Sequence, residues 1–195
     1  MSTSVEPAGV VRGHLPGDLA MWFFILAELS VFAILILAFA VTQAIKPQMF
    51  IEGRSLLNTS TGLAMTLSLL TAGFFAALAQ EQVRRSRPRH GVILVMVALT
   101  AASVYVALKV MEYRHLLASG LGMERDTFFT LYWILTGFHF LHVLLGMVIL
   151  GWLAARCFRS LYNADQRSGF ESGVLYWHMV DLIWVVLFPL VYVLD

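Results

Sequence analysis

A chain of 195 residues that is 59% hydrophobic and only 13% charged holds about half the charge of a soluble globular domain, which excludes that class and points to a polytopic membrane protein. The formal net charge of +1, with arginines in connecting segments rather than in a stripe, leaves no footprint for nucleic acid. One cysteine, Cys157, excludes an internal disulfide and any thiolate cluster built by this chain alone, and reads as a packing residue.

The predicted fold class is all-α, a bundle of five transmembrane helices at about 17–44, 59–82, 90–113, 127–156 and 172–194. These make one domain over 16–195 behind a short tail over 1–15. Ala38-Phe39-Ala40 has the small-x-small look of a cleavage site, yet the apolar run before it is about twenty residues, too long for a signal core, so the first span is expected to be retained. That span begins after Pro16 and Asp18 and is interrupted once, by Glu28. Pro47 falls in a short loop. The second span follows Asn58-Thr59-Ser60-Thr61, contains no charge, and repeats Ala64, Ser68, Ala72 and Ala76 at every fourth position, a stripe suited to close helix packing.

Arg84, Arg85, Arg87 and Arg89 crowd the next loop, and Pro88 separates the helices there. The third span leaves the membrane through Lys109, Glu112, Tyr113, Arg114 and His115, where Lys109 and Glu112 are expected at the outer interface, snorkelling or pairing locally. Gly120 and Gly122 mark a turn. The fourth span carries His139 and His142, and the fifth, LYWHMVDLIWVVLFPLVYVL, carries His178 and Asp181 three residues apart on one face. Trp22, Trp133, Trp152, Trp177 and Trp184 read as belt or packing residues.

Eight arginines (Arg12, Arg84, Arg85, Arg87, Arg89, Arg156, Arg159 and Arg167) fall on the side of the N-terminus, against Lys46, Arg54, Arg114 and Arg125 opposite, with Lys109 at the border. The positive-inside rule then puts the N-terminus in the cytoplasm and Asp195 outside. Counting about 1.5 Å per residue sets Glu28 and Asp181 roughly 15 Å deep, and His139, His142 and His178 roughly 8–12 Å deep. An ionisable group in hydrocarbon turns toward protein or water, so a buried polar layer of Glu28, His139, His142, His178 and Asp181 is expected to join spans one, four and five.

Several chemistries are open to that layer. Carboxylate-bridged metal sites in bundles use Glu-x-x-His on two helices, whereas His-x-x-His and His-x-x-Asp with one glutamate would be poor in negative charge. A b-type haem would need axial ligands from opposite sides, so His139 and His142 could not serve one ring together, although His178 with either could. Proton-coupled transport would use Glu28 and Asp181 at similar depth, but no inverted repeat accompanies them. Helix-to-helix hydrogen bonding needs no cofactor at all. Glu28 alone is a candidate proton-exchanging group, since a membrane carboxyl trades its proton when water reaches it.

The segments ILAELSVF, LKVMEYRHLL, GFHFLHVLLG and LYWHMVDLIWVVLFPLVY occur in the order of, and together resemble, subunit III of the haem–copper oxidase superfamily. The resemblance implies an all-helical subunit with no haem or copper of its own, no catalytic residue, and haem and metals confined to partner subunits. It implies a place beside a catalytic subunit I-like membrane protein in a respiratory complex of a bacterial cytoplasmic membrane, with bound phospholipid. In that family the glutamate matching Glu28 is the carbodiimide-sensitive one, and the subunit is credited with sustaining proton uptake. Five spans rather than seven, and the opening HLPGDLAMWFFILAEL, look more like the accessory member associated with bacterial nitric oxide reductase, and hence with denitrification, than the cytochrome c oxidase subunit proper.

Overall fold

A computed structural model describes residues 19–158 and 167–194. The tail over 1–15, Pro16, Asp18, Arg159 and Asp195 lie outside the described residues. Within them the chain forms six helices and no strand: α1 (Leu19–Ile45), α2 (Pro47–Ser55), α3 (Thr59–Arg84), α4 (Pro88–Ala118), α5 (Thr127–Phe158) and α6 (Arg167–Tyr192). All but α2 are long and apolar enough to cross a membrane.

Helix ends follow local chemistry. Asn58 accepts the amide of Thr61 at 3.1 Å and Asp126 accepts that of Phe129 at 2.9 Å, so α3 and α5 each begin on a side-chain cap. Pro47 does not lie in a loop. It occupies the first turn of α2, where a missing N–H is harmless and a fixed φ favours the helix. Helix α4 runs to Ala118, well past the expected border near 113, because nothing in Arg114–Ala118 breaks a helix. It ends where Gly120 takes a φ of 72° and the Leu121 amide reaches back to the Leu116 carbonyl at 2.9 Å.

Helices α3, α4, α5 and α6 close into a four-helix ring, and α1 leans on α5 and α6 from outside. The tightest seam is α3 on α4, where Ala72, Ala76 and Ala79 face Ala98 and Ala102, all without exposed surface. The every-fourth-residue stripe thus divides: Ala72 and Ala76 go inward, Ser68 is half-buried and Ala64 is exposed. At the end of the bundle that holds α2, Phe50 of α2 meets Phe39 of α1 at 5.0 Å and Phe128 of α5 at 5.2 Å, both edge-on, which ties α1 to the ring.

Trp184 holds the centre. Its indole N–H donates to Thr66 Oγ1 on α3 at 3.0 Å, its ring meets Tyr105 of α4 edge-on at 5.1 Å, and it stacks on His139 of α5 at 5.0 Å. One side chain of α6 therefore touches each of the other three ring helices.

Candidate functional site

The residues singled out by sequence fall at two helix seams, one between α1 and the ring and one within it, and in the space between. At the α1–α5 seam, His142 Nε2 lies 2.9 Å from Glu28 Oε2, and its Nδ1 lies 2.8 Å from the Phe138 carbonyl one turn earlier. A carbonyl only accepts, so Nδ1 carries a hydrogen and donates it. The contact between Nε2 and Oε2 then holds one proton, either on a neutral carboxyl donating to a neutral ring or on an imidazolium donating to a carboxylate. Both arrangements are uncharged overall, which suits hydrocarbon. Both nitrogens of His142 are thereby engaged by protein groups. The glutamate side chain keeps 20% of its surface exposed, against 10% for the histidine, so the pair reaches the outside of the bundle at its carboxyl end.

His139, three residues earlier, points into the ring. It is wholly buried among Trp184, Tyr105 and Phe32, and neither ring nitrogen has a hydrogen-bond partner. Its surroundings are aromatic faces and edges rather than polar atoms.

At the α3–α6 seam, His178 Nδ1 stands 3.9 Å from Asp181 Oδ2. Asp181 is buried against Gly73 of α3, where any side-chain carbon would collide with its carboxylate. Its other oxygen, Oδ1, is wholly enclosed, and the indole of Trp177 one turn earlier is the donor beside the carboxyl. His178 itself faces outward. No hydrogen bond or ion pair among the described residues links this pair to Glu28 and His142, so the structure divides the expected layer into two pairs with His139 between them.

The most completely satisfied polar group is Lys109. Far from snorkelling, it has no exposed surface, because α4 continues for more than two turns beyond it and carries it under the ends of α5 and α6. Its ammonium donates to Glu112 Oε2 at 2.7 Å, to the Tyr192 hydroxyl at 3.0 Å and to the Tyr132 hydroxyl at 3.1 Å. Those two hydroxyls in turn donate to Glu112, each at 2.9 Å. The ring centres of Tyr113, Tyr132, Trp184 and Tyr192 lie 4.8, 4.9, 5.5 and 5.6 Å from the ammonium, a cage that adds cation–π attraction. Glu112 also lines a cleft of about 730 Å³ with Asn58, Thr59, His115 and Leu116.

Above the cage, the carbonyls that end α6 are received by three other elements. Arg54 of α2 donates to the Leu190 carbonyl at 3.1 Å, Gln43 of α1 to that of Leu194 at 3.2 Å, and Thr59 of α3 to that of Tyr192 at 3.4 Å. The sequence places Arg54 in a connecting segment and reads Trp184 as a belt or packing residue, with no role for Tyr132 or Tyr192. The available signal was Lys109 and Glu112 at helical spacing with tyrosines at the same end of the two following spans.

Compared with known proteins, residues 10–195 match the family model for cytochrome c oxidase subunit III. The chain is 30% identical over 184 residues to cytochrome c oxidase subunit 3 of Thermostichus vulcanus, covering 90% of this chain and 86% of that one. It is 26% identical over 186 residues to the probable quinol oxidase subunit 3 of Staphylococcus saprophyticus, covering 94% and 90%. A third relative, the heme-copper oxidase subunit I+III of Aeropyrum pernix, is 27% identical over 184 residues, which are 89% of this chain and 22% of that longer protein.

Proposed function

Since this chain belongs to the cytochrome c oxidase subunit III family, we propose that it is a non-catalytic, multi-pass component of a respiratory haem–copper oxidase superfamily complex in a bacterial cytoplasmic membrane. It sits beside a catalytic subunit I-like protein, supports assembly and stability, and leaves haem and metal to its partners. Phospholipid packs against its apolar faces. The N-terminus lies in the cytoplasm and the C-terminus outside, with residues 16–195 forming one membrane domain.

Glu28 buffers protons for the complex. The observation that carries this is the 2.9 Å contact with His142, in which one proton is shared at the edge of the bundle, where the carboxyl keeps 20% of its surface exposed. Lys109, Glu112, His139, His178 and Asp181 serve structure and contact rather than catalysis. Of the two electron acceptors, nitric oxide is favoured, on the resemblance of the opening HLPGDLAMWFFILAEL to the accessory subunit of nitric oxide reductase.

Purification in mild detergent, with identification of the co-purifying subunits and assay of oxygen and nitric oxide reduction, tests the reading. A chain that purifies alone with a Soret band and stoichiometric iron would instead be a free-standing b-haem protein. Replacement Glu28→Gln in the intact complex should leave assembly unchanged while slowing sustained turnover or hastening its decay. Equal turnover and equal decay would remove the proton-buffering role.

A further inference from the structure

The lipid-side surfaces of the spans follow one rule with one exception. Exposed hydroxyls return to their own helix: Ser30 donates to the Leu26 carbonyl, Thr71 to Leu67, Thr100 to Met96 and Ser103 to Leu99, at 2.7 to 2.9 Å. His178 stands at mid-height on α6 with 44% of its side chain exposed, and no other ionisable side chain among the described residues is so open in the central part of a span. Asp181 lies one turn away, buried beside it with Oδ2 3.9 Å from His178 Nδ1. Acyl chains offer neither group a hydrogen bond, and such residues in membrane helices normally meet protein.

The surface around them has the shape of a docking groove. Leu67, Leu70 and Phe74 form one ridge on α3, and Leu182, Val185 and Val186 form another on α6, all substantially exposed. Between them lies a hollow of about 460 Å³ floored by Gly73, His178 and Asp181. Gly73 permits the floor, since a larger residue would drive into the Asp181 carboxylate.

We propose that this α3–α6 groove seats a transmembrane helix of the catalytic subunit I-like partner, whose hydrogen-bonding side chain meets the exposed imidazole of His178. The proposal rests on the reading of the chain as a subunit III. A groove flanked by two ridges accepts a single ridge from a different surface. Two copies of this chain meeting groove to groove across a two-fold axis would enclose the hollow instead of filling it.

A photo-crosslinking amino acid placed at Leu70 or Leu182, with control positions at Ile93 on α4 and Val148 on α5, tests this in the full chain within its own membrane. Groove positions should join the subunit I-like protein and control positions should not. His178→Ala should lower the amount of that subunit recovered with the chain at least fivefold without lowering the Tm of the isolated chain. Crosslinks from the control faces alone, to a second copy, or to lipid only would overturn the groove assignment while co-purification of the catalytic subunit upheld the proposed function. Absence of any oxidase or reductase subunit from the preparation would overturn both.

Discussion

Single side chains here are worth most where they are caged. Removing one member of a buried ion pair leaves the other unpaired, at a cost of about 3–5 kcal/mol, so Lys109→Met and Glu112→Gln should each lower the Tm of the detergent-solubilised chain strongly. The double variant should recover much of that loss, because the two tyrosine hydroxyls can still bond the amide. Purely additive losses would show that the pair is not the unit. At the other pair, Glu28→Ala strips His142 Nε2 of its partner and should cost about 1–3 kcal/mol, whereas Glu28→Gln can donate to that nitrogen and should cost less than about 1 kcal/mol, both read as thermal unfolding. Sequence could flag these residues, since an ionisable group within twenty apolar ones is conspicuous. It offered a local pairing of Lys109 with Glu112, three apart on one helix, but could not pair Glu28 with His142 across helices. Counting along a helix gives depth, but the direction a side chain takes around the axis matters only relative to neighbours, and which helices are neighbours is a tertiary fact. Thus Asp181 and Glu28, set at one depth, turned to different seams.

Among the elements, α6 is the hub. It carries Trp184, which touches all three other ring helices, and its C-terminal carbonyls are received by α1, α2 and α3. Trp184→Ala should therefore cost about 3–5 kcal/mol and lower the Tm accordingly. Arg54→Met should cost about 2 kcal/mol and speed proteolysis at the end of α6, because a charged donor is lost where the helix dipole is negative. The five long helices were legible because some 20 apolar residues admit little else in a bilayer. Helix α2 was not, since nine residues that begin with Pro47 and mix polar with apolar side chains read equally as a loop, and only packing of Phe50 against Phe39 and Phe128 decides for helix.

At the scale of the molecule, the arginine distribution predicts topology. Alkaline phosphatase fused after Leu194 should be active and fused at Arg87 inactive, and the reverse pattern would invert the proposed orientation. The ring of α3 to α6 is self-contained, with α1 fastened to its outside mainly by Phe32, Phe39 and the carboxyl–imidazole bond. That attachment has a consequence for biogenesis. Helix α1 leaves the ribosome before α5 and α6, which it chiefly contacts, and its carboxyl–imidazole contact joins positions 114 apart in the chain. Newly inserted α1 must wait alone in the bilayer while the rest is translated, and a chain stopped before α5 would leave Glu28 without its histidine, a mark by which a membrane protease could tell unfinished molecules from finished ones.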